Sequence, residues 1–245
     1  MRWRPCPIDG LRVRIPDEAR AARGGDGHMA VIDQRSGWEY DFWQVRSKPK
    51  GGGVIVVSHG DRTRLNATGL ASAATAAQFA LLAGIVRPQE LAAGRIPHAL
   101  FLVVRCSSGH SVYPSHGPST GAPCRRFGEA DASAPAMGTH FWLDMSEREI
   151  ARLPVPAWKR TILRALRRYG GYIGDTMNGN GSWGVMLESG ASYTSFGYAD
   201  PWESLGAELG ARKWRGTRLL NLDEDVEWDK RLKILDPCAA RATCR

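Results

Sequence analysis

The sequence predicts a mainly β fold, an antiparallel β-sandwich or jelly-roll-like sheet carrying one packed amphipathic helix. Three observations lead there. β-prone runs outnumber helical ones, and clusters of Gly, Pro, Asn and Asp separate them at short intervals. Only one segment, about 156–169, keeps a helical period. Cys106 with Cys124 and Cys238 with Cys244 bracket local segments, as staples do in disulfide-supported domains.

The elements follow in order. Residues 1–25 mix Arg, Pro and Gly without a period and read as an irregular leader on the surface. Residues 26–245 read as a single β-rich domain. His28–Asp33 and Trp38–Val45 flank Gln34-Arg35-Ser36-Gly37, which is a hairpin signal. Alternation sends Trp38, Tyr40 and Phe42 to one face, and Glu39, Asp41 and Trp43 to the other. Val54–Val57 reads as a buried strand after the turn at 48–53. Residues 66–83, rich in Ala, Ser and Thr, suit a short helix or a loop lying over the sheet.

Pro88 favours the start of a short helix. Glu90 then sits in its first turn, where a negative charge is favoured. His98–Arg105 is the clearest strand, and residues 107–137 form a long loop that a Cys106–Cys124 bridge would pin. Thr139–Met145 is a further strand. In the helix, Trp158, Ile162, Leu163, Leu166 and Tyr169 share one face, while Lys159, Arg160, Arg164, Arg167 and Arg168 fall mostly on the other. Gly170-Gly171 ends it. Tyr172–Asp175 and Trp183–Leu187 read as short strands around a Gly/Asn loop, and the chain beyond them has no firm period.

Composition narrows the classes of function. Net charge is +8, which attracts anions, but no long basic run, zinc-finger spacing or RNA-binding aromatic signature is present. A nucleic-acid partner is therefore not expected. No stretch approaches the roughly 18 apolar residues of a membrane span. The cysteine pairs point to an oxidising compartment, with Cys6 left free or paired elsewhere. The opening residues are not a secretory signal, so either a signal has been trimmed or the chain is cytoplasmic; with the cysteine pairs, an extracellular location is the expectation. Nine Trp suit either a core or a surface that stacks on sugar rings.

Several segments carry a resemblance: Gly27-His28-Met29-x-Val31-x-Asp33, Tyr40-Asp41-Phe42-Trp43, Leu82–Arg87, Gly94–Leu100, Ala136-Met137-Gly138 and Ile162–Gly170. Across roughly residues 25–200 the chain resembles a group of secreted bacterial proteins of unassigned role. The resemblance implies export and a single domain, and it brings no reaction with it.

Two familiar catalytic signatures are absent: no HExxH or P-loop occurs. The GxGxxG match at 179–184 opens a strand rather than a helix, so it reads as a flexible turn. Carboxylates carry the leading expectation. Glycoside hydrolysis commonly takes two carboxyls, about 5–5.5 Å apart for retention and about 6.5–9.5 Å for inversion. Asp41, on an aromatic-bearing strand, and Asp175, at a strand end beside a Gly/Asn loop, are the expected acid and base or nucleophile. His28 and His98 each begin a strand and would orient substrate or share proton transfer. Trp43, Tyr113, Trp183 and Arg87 are the candidates to hold a polysaccharide or oligosaccharide. No cofactor is required by this chemistry. The alternatives are a lectin-like binding domain, or a metal-dependent enzyme built on Asp26, His28 and His98.

Overall fold

A computed structural model describes residues 6–70, 73–116, 121–181, 183–214 and 217–240. The protein is sheet-rich. A three-stranded antiparallel sheet comprises β1 (Met29–Asp33), β2 (Trp38–Trp43) and β3 (His59–Arg64), in that order. Short helices α1 (Leu81–Gly84) and α2 (Pro88–Ala92) then lead to β4 (Leu100–Val104). β5 (His140–Leu143), α3 (Glu147–Arg152) and α4 (Ala157–Tyr169) precede β6 (Gly171–Thr176) and β7 (Trp183–Val185). The C-terminal part holds α5 (Ala191–Thr194), α6 (Pro201–Glu208), a ribbon of β8 (Arg212–Trp214) with β9 (Thr217–Leu219), α7 (Trp228–Arg231), β10 (Leu232–Leu235) and α8 (Pro237–Ala240). The larger sheet has the order β10-β5-β6-β4-β7.

The expectation of an all-antiparallel sandwich is corrected in two ways. β4 and β6 run parallel, because the chain between them crosses over through α4. In addition, a sandwich shares one core between two inner faces. Here Met29, Val31, Tyr40 and Phe42 of the small sheet pack with Ile8 and Ala19 in a cluster of their own. Leu100, Leu102, Leu143 and Ile173 of the larger sheet pack with Ile162, Leu163 and Leu166 of α4. The leader is thus more than a surface strand of chain, since Ile8 and Ala19 complete the smaller cluster.

Local rules explain most elements. α4 buries Trp158, Ile162, Leu163 and Leu166 on the face its period predicts. Lys159, expected on the polar face, is also buried, and its ammonium donates to the Glu224 carbonyl. Gly170 ends α4 at φ +69°, and a Cβ there would lie 2.4 Å from the Phe141 carbonyl oxygen. Only Gly permits both the turn and the approach.

Val54–Val57 is not a buried strand. Val54 is 80% exposed, Val56 is 48% exposed, and Val56 makes a single bridge to Ser47. The third strand of the small sheet is the polar run His59–Arg64 instead. Arg62 and Arg64 stack over Trp38 at 4.3 and 4.0 Å. These contacts substitute for the apolar packing that strand prediction looks for.

Cys106 and Cys124 form a disulfide, 18 residues apart in sequence. Cys238 is disulfide-bonded, and Cys244 of the expected second pair lies outside the described residues. Cys6 is a free thiol donating to the Gly60 carbonyl. Replacing both Cys106 and Cys124 with Ala is expected to cost about 3 kcal/mol, from the entropy that closing such a loop removes from the unfolded chain. Urea unfolding measures this, and an unchanged midpoint would contradict it. Among the described residues, no helix is long and apolar enough to cross a membrane.

Candidate functional site

The site is built where β6 leaves the larger sheet. A register shift between Leu102 and Val103 sets Val103 opposite Asp175. At Gly174 an added Cβ would fall 2.1 Å from the Phe101 ring, so a glycine is needed for β4 and β6 to pack here. The run of small residues before α1 folds over this point. Thr75 fixes its turn, accepting from the Phe79 N–H at 2.8 Å and donating to the Phe79 carbonyl at 2.9 Å. Ala77 N–H then donates to the Gly174 carbonyl at 3.0 Å, and Ala76 N–H donates to the Asp175 carboxylate.

Asp175 is partly buried. Burial pushes its carboxyl up to about 6, and the nearby charge of Asp26 adds to the rise. Hydrogen bonds from the Thr176 and Ala76 N–H groups oppose it without cancelling it. Asp26 is held from the end of β2: Trp43 Nε1 donates to its Oδ1 at 3.2 Å, and Gln44 N–H donates to its carbonyl at 2.8 Å. His28, two residues on, is lowered by burial, an effect that Asp26 partly offsets. Asp26 is therefore within electrostatic reach of both Asp175 and His28, with the Trp43 indole alongside.

Asp41 does not join them. Alternation along β2 does place Glu39 and Asp41 on the face away from the apolar cluster, but the start of α1 is held against them there. Asp41 is 1% exposed. It accepts from Leu81 N–H at 3.3 Å, and Glu39 accepts from Leu82 N–H at 3.0 Å. Asp61 lies across the strand pair from Asp41 and is also buried. Burial first, then the charges of Glu39 and Asp61, hold Asp41 well above the usual carboxylate range. These acids anchor the start of α1, and Asp41 has no surface on which to meet a substrate. The expected pairing of Asp41 with Asp175 across a cleft is thereby corrected.

His98 is also placed elsewhere. Its Nε2 lies 2.9 Å from Glu90 Oε1 and its Nδ1 lies 2.9 Å from the Ala99 carbonyl oxygen. It precedes β4 and lies five residues before Val103, the partner of Asp175. Glu90 also accepts from Arg87 N–H at 2.8 Å, and Arg87 Nη2 donates to the Leu82 carbonyl at 2.7 Å. His98 and Arg87 therefore knit α1, α2 and β4 together. Substituting His98 with Ala is expected to cost about 1 kcal/mol, because Glu90 loses a partly buried partner. Activity of the folded variant should be unchanged, and a selective loss of activity at wild-type stability would contradict this placement.

The remaining candidates divide. Trp183 packs edge-on against Trp228, with ring centroids 4.8 Å apart. Tyr113 meets His116 edge-on at 5.7 Å in the stapled loop. Of the substrate-binding candidates, Trp43 is the one hydrogen-bonded to Asp26. Asp26, His28 and His98 do not form a metal set. Among the described residues, the one group of three with ligand atoms close enough is Cys106, Cys124 and Glu129, and the two sulfurs there are already bonded to each other.

Asp26 and His28 also line a cavity of about 1000 Å³ that runs beside β1. Composition and spacing did not reveal it, because its walls come from four separate stretches of chain. No family model matches this chain, and no curated protein or solved structure does either.

Proposed function

We propose that the chain is an exported, glycoside hydrolase-like enzyme that acts on a polysaccharide or oligosaccharide. Asp175 is its proton donor and Asp26 its second carboxyl group. The observation that carries the reading is Asp175 itself: a partly buried carboxyl pushed up to about 6, within electrostatic reach of a second carboxyl held by an indole. A carboxyl raised by burial suits the acid role, which leaves the second carboxyl to act as base or nucleophile. Protonated Asp175 would donate to the glycosidic oxygen as the bond to the sugar breaks. Asp26 would activate water or attack the anomeric carbon. His28, kept neutral by burial, would accept a hydrogen bond from a sugar hydroxyl. The Trp43 ring would pack against a sugar face.

The Cys106–Cys124 bridge is compatible with export, as is the resemblance to secreted bacterial proteins. The test is release of reducing ends from a panel of neutral and acidic polysaccharides. Wild-type protein should release them from at least one, and Asp26→Asn and Asp175→Asn protein should not. Binding without cleavage across the panel would favour a lectin-like role, and neither binding nor cleavage would end the proposal.

A further inference from the structure

β1 is the end strand of its sheet, with β2 on its paired side. Alternate residues of such a strand turn their N–H and C=O groups away from the partner. His28, just before β1, turns outwards, because its carbonyl accepts from the Ala22 N–H at 2.7 Å. By alternation Ala30 and Ile32 turn the same way. Among the described residues, no hydrogen bond meets the backbone of either on that side. An edge of this kind is a template for another extended chain.

The cavity runs along this edge and takes in all five residues of β1, roughly 16 Å of strand. It has two unlike walls. The leader forms the first, on the face where Met29 and Val31 pack with Ala19. Arg14, Arg20 and Arg23 line it. Arg14 is paired with Asp33 at 3.1 Å, whereas Arg20 and Arg23 have no ion-pair partner among the described residues. The second wall stands on the face of Glu39 and Asp41, where the start of α1 is held. It mixes Leu82, Ile85 and Met186 with Glu188, Ser189 and Ser192. Glu188 there accepts from the Tyr193 hydroxyl at 2.9 Å, and Asp26 lies before the start of β1 with Trp43 on its carboxylate. A strand laid along β1 would send successive side chains to the two walls in turn. Those facing the leader meet free guanidinium groups, in a chain whose net charge of +8 already favours anions. Those facing α1 meet a mixed surface that asks little of them.

We infer that β1 takes up an extended peptide segment of another protein, with acidic residues at alternate positions. The backbone of the segment pairs with Ala30 and Ile32, and its carboxylates meet Arg20 and Arg23. A second copy of this chain suits the edge less well, because its own β1 lies between the same two walls and brings the same basic leader. The inference stands on the strand edge and the leader, independently of the glycoside chemistry.

Two end-blocked peptides of about seven residues test it by calorimetry on the full chain, one alternating Glu with Thr and one alternating Lys with Thr. The Glu peptide should bind at least about tenfold more tightly than the Lys peptide, and should lose affinity as salt is raised. Arg20→Gln with Arg23→Gln should weaken it about threefold to tenfold. Backbone pairing is read by N-methylation of the Glu peptide. Methylating the alternate residues whose N–H groups face β1 should abolish binding, and methylating the other alternate set should leave it unchanged. Ile32→Pro removes one outward N–H and spares the bonds to β2, so it should weaken the peptide about fivefold or more. No binding of the Glu peptide, equal binding of both peptides, or equal loss from both methylated sets would overturn the inference. So would a wild-type dimer that Ile32→Pro dissociates, since the occupant would then be a second copy. Sugar cleavage without peptide binding would overturn this inference alone, and peptide binding without cleavage of any sugar would overturn the enzymatic reading alone.

Discussion

Replacing Asp175 with Asn is expected to lower kcat by about 10²- to 10⁴-fold, the usual contribution of a positioned acid. The fold should survive, because Asn retains an oxygen to accept from Ala76 and Thr176 N–H. Wild-type turnover should fall as pH rises through about 6, where Asp175 loses the proton it must donate. The same group links to stability with a definite sign. Its folded value lies above its unfolded one, so its contribution is complete below the unfolded value and is lost as pH rises through about 6. A rise from 3.8 to about 6 corresponds to at most about 3 kcal/mol. Above pH 6, Asp175→Asn protein should therefore be more stable than wild type while being far less active. Kinetics and urea unfolding on the same samples measure both. An active Asp175→Asn enzyme with a wild-type pH profile would remove Asp175 from the chemistry.

Asp41 gives the second large effect, in stability alone. Asp41→Ala should cost about 1–3 kcal/mol at pH 5, because Leu81 N–H loses its buried acceptor. Asp41→Asn should behave differently. It keeps that acceptor and removes a carboxyl that burial and Glu39 hold well above its ordinary range. Since the folded value is raised, wild type loses stability as pH increases, and Asn escapes that loss. The Asn variant should thus be the more stable protein at pH 8, with the gain shrinking as pH falls towards 4. Unfolding at the two pH values decides it. An Asn variant that is destabilised at pH 8 would show that the ionised form of Asp41 is the one the fold uses.

The sequence made the two faces of β2 legible. Period-two alternation put Tyr40 and Phe42 in the apolar cluster and Glu39 and Asp41 opposite. It did not show that Leu81 and Leu82 would be held against the acidic face, because that contact is a tertiary event. α4 was legible because one face supplies its whole packing surface. β3 was missed because its residues are polar and its stability comes from partners such as Trp38 rather than from its own apolar content. β10 was missed for a related reason: it is an edge strand beside β5, with Ile234 60% exposed.

Asp175 was readable as an acid at a strand end, and Asp26 and His28 as neighbours in sequence. That the Asp26 charge reaches Asp175 was not readable, because the place of Asp26 depends on the backbone at 26–27 pairing with 44–45 beyond the end of the hairpin. His98 shows the opposite failure. It resembled His28 in context, but Glu90 and the Ala99 carbonyl already occupy both of its nitrogens.

Titration of the Asp175 carboxyl by ¹³C NMR, in wild-type and Asp26→Asn protein, tests the proposed site most directly. The expected result is a midpoint of about 6 in wild type, shifting downwards when the Asp26 charge is removed. A midpoint near the ordinary 3.8, unmoved by Asp26→Asn, would contradict the pairing on which the proposed chemistry stands.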